Sequence, residues 1–188
     1  MAERGVRISD PRVMRALSHP ARIEIVEYLN DTGKAVTATE CAEIVGLSPS
    51  ATSYHLRELR KYGLVEEAPS RGDGRERLWQ GAAGGLRIDP EDGGPAAQDA
   101  AATLADLYLT RDLERVREWF ARRDEEPEPW RHSGTIMGAR LLLTADELAE
   151  LAGRISELVD PYRMRDRQEK APEGARRVAL NLAMFPEG

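Results

Sequence analysis

Between residues 47 and 67 the chain reads LSPSATSYHLRELRKYGLVEE, and its hydrogen-bonding side chains fall on one side of the helix that this spacing predicts. With Leu56 at zero and 100° per residue, Leu59 and Thr52 lie within about 60° of it, whereas Ser53, Arg57, Ser50 and Tyr54 occupy roughly 60° to 160°. Lys61 continues the polar strip one turn beyond Arg57. Short hydroxyl side chains at Ser48, Ser50 and Ser53 let a helix approach base edges closely, while Tyr54, Arg57 and Lys61 are long enough to reach bases or phosphates. Three more arginines, Arg71, Arg75 and Arg77, cluster in SRGDGRERLWQ, a loop-like stretch from which guanidinium groups reach phosphates or a minor groove. The chemistry these residues offer is hydrogen bonding and charge pairing with a polyanion. A Gly-rich phosphate loop, a metal-ligand cluster and a nucleophile–base pair at a known spacing are all lacking in the sequence, so no enzyme activity, metal or cofactor is expected.

Such side chains work only if surrounding elements hold their helix rigidly. Ser48 followed by Pro49 reads as an N-cap with proline at the first helical position, and Gly63 as a left-handed stop. Upstream, Asp10 and Pro11 open a helix carrying Val13 and Leu17, and Pro20 opens another with Ile25, Val26 and Leu29 as its buried stripe. Thr37 and Glu40 form a capping-box pattern ahead of Ala38, Cys41, Ala42 and Val45, which recur as one face of an amphipathic helix ending at Gly46. That helix meets the next through VGLS, a tight turn of the helix-turn-helix kind. LVEEAP and ERLWQ then read as two strands of a hairpin.

Beyond the hairpin, residues 81–97 are rich in glycine and proline and read as a linker. A long helix is expected from about Gln98 to Arg123, with Leu109, Leu113, Val116 and Phe120 spaced 4, 3, 4 as in a coiled-coil seam, the pattern of a dimerisation helix. Thr135 to Leu143 and Arg177 to Phe185 read as strands on either side of a helix capped by Thr144 and buried through Leu148, Leu151, Ile155, Leu158 and Val159. The expected class is therefore mainly α with a small β component.

Charge divides the same way. The 188 residues carry a net charge of −6, yet residues 1–80 hold 12 basic and 12 acidic side chains, leaving the whole deficit to residues 81–188. Only the first half is suited to meeting a polyanion. With one cysteine, Cys41, no internal disulfide forms, and with no apolar run of membrane-spanning length the chain reads as a soluble, cytoplasmic protein with no membrane partner. Cys41 shares a stripe with Ala38 and Val45, which favours core packing over a redox role. His55 borders the leucine face, leaving a phosphate contact and a part-buried hydrogen bond equally open.

The segments ALSHPARIEIVEYL and TATECAEIVGLSPSATSYHLRELRKYGLVEE, followed by the arginine-bearing hairpin, resemble the arsenical-resistance-repressor (ArsR) type of winged helix-turn-helix from about Pro11 to Gln80. The resemblance implies a winged helix-turn-helix domain over residues 8–80 and a homodimeric transcriptional regulator, usually a repressor, that binds double-stranded DNA. It implies DNA contacts at Ser50, Ser53, Tyr54 and Arg57. The chain departs from thiolate-sensing members, because Cys41 is followed by Ala42 and Glu43 rather than by a second cysteine. Residues 98–188 then serve dimerisation and an effector of unknown kind, small molecule or protein. A winged-helix protein-interaction module without DNA binding is the alternative, supported by the neutral charge of the first half.

Overall fold

The computed structural model describes residues 6–70, 72, 76–82, 86–88, 94–167 and 170–187. They form two bodies, residues 1–107 with 164–170, and residues 108–163 with 171–188.

In the first body, helices α1 (Pro11–Leu17), α2 (Pro20–Thr32), α3 (Ala38–Val45) and α4 (Pro49–Lys61) begin at side-chain caps. Asp10 Oδ1 accepts from Arg12 N at 2.7 Å, His19 Nδ1 from Ala21 N at 3.2 Å, and Ser48 Oγ from Ala51 N at 3.2 Å. At Thr37 the capping box is closed in both directions, Thr37 Oγ1 accepting from Glu40 N and Glu40 Oε2 from Thr37 N. Each cap satisfies a helix N–H that would otherwise lack an acceptor, an effect of about 1 kcal/mol. Helix α3 ends at Gly46 with φ +65° and α4 is followed by Gly63 with φ +66°, left-handed values that glycine adopts without strain.

The core is built from Met14, Leu17, Ile23, Ile25, Leu29, Leu56 and Leu59, all fully buried. Each such side chain contributes roughly 1.5–3 kcal/mol through burial. Strands β3 (Val65–Ala68) and β4 (Leu78–Gly81) form the expected antiparallel hairpin, with Glu67 opposite Trp79. A short strand β2 (Val36–Thr37) pairs with the other edge of β4, giving the sheet order β2-β4-β3. Strands β1 (Val6–Ile8) and β5 (Leu86–Ile88) form a separate parallel pair. Neither β1 nor β2 has a sequence signature, since two or three residues carry no periodicity.

Helix α5 (Gly94–Arg122) starts about four residues before the expected point and buries Ala97, Ala100, Ala101 and Leu104. It gives way to a 3-10 turn at Arg123–Glu125, and the short α6 (Glu128–Arg131) follows Pro127. Helix α7 (Ala145–Val159) has the expected Thr144 capping box. Its apolar stripe is only half-buried at Leu148, Leu151, Ile155 and Val159, and Leu158 is exposed, which corrects the expectation of a buried stripe. The strands expected at Thr135–Leu143 and Arg177–Phe185 are likewise not formed, because neither segment meets a ladder partner among the described residues. A 3-10 turn at Asp160–Tyr162 and the short α8 (Met164–Arg167) complete the elements. No helix among the described residues is long and apolar enough to cross a membrane.

Candidate nucleic-acid interface

Helix α4 sorts its side chains as its angular pattern demands. Thr52, Leu56 and Leu59 are fully buried, while Ser48, Ser50, Tyr54, Arg57 and Lys61 are exposed and Ser53 is half-buried. Helix α3 packs against it through the Gly46 turn, and Leu64 and Val65 anchor the entry to the hairpin in the core. The polar strip is thus mounted on a helix fixed on its opposite side, the arrangement that a groove-reading helix requires.

The hairpin brings a further cation to that strip. Arg77 Nε lies 3.4 Å from Glu67 Oε1, and its guanidinium sits 5.9 Å from the centre of the Trp79 ring. Arg60 also pairs with Glu67, and Lys61 pairs with Glu58. These exposed ion pairs are weak in water, so a phosphate can displace the carboxylates. Ser53, Arg57, Glu76, Arg77 and Trp79, with the start of α3, line a cleft of about 280 Å³. Arg71 and Arg75, the expected tip of the hairpin, lie outside the described residues.

One feature of this site has no sequence signal. His55 is buried, its ring centre 4.6 Å from that of His19, and Arg22 Nε donates to His55 Nδ1 at 3.3 Å. Arg22 also donates to Ala16 O at 2.9 Å and lies 5.9 Å from the centre of the Tyr54 ring. Burial, then the neighbouring His19 and Arg22, hold the His55 pKa below its ordinary value. Residues 33 positions apart meet here, so only the packing of α2 against α4 creates the cluster. Between the two readings open for His55, the hydrogen-bonded one describes its surroundings.

Cys41 is fully buried, and burial, with Glu24 adding to it, pushes its thiol up to about 11. The thiolate, the form that oxidises or binds metal, is therefore scarce at neutral pH. In the second body the seam residues Leu109, Leu113, Val116 and Phe120 remain 37–51% exposed, so their apolar surface is available.

The model for the bacterial regulatory protein arsR family matches residues 19–67, a span from the cap of α2 to the middle of β3. The HTH-type transcriptional regulator YgaV of Escherichia coli (strain K12) is 41% identical over 54 residues. Residues 19–67 form an ArsR-family helix-turn-helix. The shared stretch is 29% of this chain, and the chain spans about half (54%) of the length of that curated relative. Among solved structures, a predicted DNA-binding transcriptional regulator from E. coli is 31% identical, covering 51% of this chain and 85% of the other, with a TM-score of 0.32. Mb0332 of Mycobacterium bovis, a possible ArsR-family regulator, is 22% identical over 54% of this chain and 76% of the other, with a TM-score of 0.35. The ArsR-type motif thus contains the whole of α3 and α4, and Arg77, strand β4 and helices α5–α8 lie beyond it.

Proposed function

We propose that the protein is a sequence-specific DNA-binding transcriptional regulator that acts as a homodimeric repressor. The reading is carried by α4, whose hydroxyl and cationic side chains face solvent in one strip while its leucines are buried. In this reading α4 lies in the major groove, with Ser50, Ser53, Tyr54 and Arg57 toward base edges and Ser48 and Lys61 toward phosphates. Arg71, Arg75 and Arg77 hold the flanking backbone or minor groove. The family match and the description of YgaV as a transcriptional regulator support it.

The exposed 109, 113, 116, 120 seam supports pairing of α5 with α5 of a second copy. Two copies related by a two-fold axis read an inverted repeat with half-sites roughly 34 Å apart. Residues 98–188 are the place for an effector, which must bind the DNA-competent and DNA-incompetent dimers with different affinity. The alternative, a protein-interaction module, has the zero net charge of residues 1–80 behind it, and the family match weighs against it.

Selection of bound sequences from random double-stranded DNA by the full chain tests the reading. The expected result is enrichment of a two-fold symmetric site. Recovery of sequences no different from the input pool, at low and high salt alike, overturns it.

A further inference from the structure

The second body is patterned as if to bury a core and buries none. Among the described residues 108–163 and 171–187 not one side chain is buried. Polar contacts and one cation–π contact, Arg176 over Trp130 at 4.9 Å, join its last segment to the rest of the body. Arg176 Nη1 lies 2.6 Å from Glu126 Oε2, and Asn181 Nδ2 donates to Asp112 Oδ2 at 2.6 Å. Such contacts contribute little in water.

That last segment nevertheless has the period of a strand with one covered face. Val178, Leu180, Leu182 and Met184 alternate with Ala179, Asn181 and Ala183. Val178, Leu180 and Leu182 are 50–70% exposed, and no backbone–backbone bond among the described residues involves 178–185. An alternating strand with an open backbone edge is a template for another strand.

We propose that residues 177–185 pair antiparallel with the same residues of a second copy, centred on Asn181. The sequence is self-complementary in that register. Pairing about Asn181 sets Val178 opposite the partner's Met184 and Leu180 opposite the partner's Leu182, so these four side chains share one face, with Phe185 on the other. Arg177 becomes the diagonal neighbour of the partner's Glu187, matching opposite charges at both ends. A two-fold axis demands such self-matching, and an unrelated partner does not. The area is also sufficient. Val178, Leu180, Leu182 and the four seam residues of α5, at roughly 100 Å² each, present about 700 Å², within one partner's share of a standard interface. The pairing adds a strand contact to the α5 dimer proposed above and rests on that dimer forming.

The test uses the full-length chain with Asn181→Cys or, separately, Ala179→Cys. Antiparallel pairing about residue 181 brings the two 181 Cα atoms to about 4.5–5.5 Å, within disulfide reach, and leaves the two 179 positions four residues apart along the ladder. Mild oxidation should give a covalent dimer at least tenfold faster for N181C than for A179C. In the unmodified chain, amide hydrogen exchange across 178–185 should be slow at high protein concentration and lose that protection on dilution. Equal cross-linking rates overturn the pairing, and so does protection that is independent of concentration or that requires a different protein. If light scattering shows a dimer whose 178–185 amides exchange as in a free strand, this pairing falls while the α5 dimer stands.

Discussion

Arg22 Nε donates to His55 Nδ1 across 3.3 Å, joining helix α2 to the back of helix α4. The bond requires His55 Nδ1 to be unprotonated, and burial favours the same neutral state. Since the folded-state pKa lies below the ordinary one, the unfolded chain takes up the proton first as pH falls. This contribution to stability is complete above the unfolded pKa of about 6.5 and is lost as pH falls from there toward the folded value. Urea denaturation from pH 7.5 to 5 should show a decline that is smaller in His55→Gln. An equal decline in both proteins would place the acid sensitivity elsewhere.

Arg77 and Glu67 give a prediction about DNA affinity. If Arg77 grips a phosphate, Arg77→Ala weakens binding to all sequences and reduces the magnitude of the log–log salt slope by roughly 0.9 for the lost contact. Glu67→Gln removes the carboxylate competing for Arg60 and Arg77 and should strengthen binding. Anisotropy titrations across a salt series read both effects. Arg57→Ala, by contrast, should change which bases are preferred.

Two glycines matter for different reasons. Gly63 has φ +66° and open space around it, so Gly63→Ala carries only the left-handed backbone strain, about 1–2 kcal/mol. A Cβ on Gly81 would stand 2.1 Å from Asn30 Oδ1 and 3.0 Å from the backbone of Leu29 and Asn30. The α2 backbone cannot yield as a flexible side chain would, so Gly81→Ala should cost about 1–3 kcal/mol and disturb the seating of β4 on α2. Thermal denaturation should show both losses, and only Gly81→Ala should alter the near-ultraviolet signal of Trp79.

Cys41 should behave as a core residue. With its thiol at about 11, it should react with a thiol reagent at pH 8 many-fold more slowly in the folded protein than in urea. Oxidant or zinc should leave DNA binding by the wild type and by Cys41→Ala alike. A selective loss in the wild type would make Cys41 a sensor.

What the sequence determined by itself was local in its physics. Caps at Asp10, Thr37, Ser48 and Thr144, the stops at Gly46 and Gly63, and the leucine spacing of α4 act within one or two helical turns, and each is realised. The polar strip of α4 was legible for that reason, because cap, turn and period together set which side chains face outward. Tertiary structure decided what depends on residues far apart. It placed Arg22 and His19 around His55, gave β2 to the edge of β4, and put Glu67 between Arg60 and Arg77. The same distinction explains the segments 135–143 and 177–185. Alternation selects a residue's face, but a strand exists only when a second backbone supplies its hydrogen bonds, and that is a property of the assembled fold.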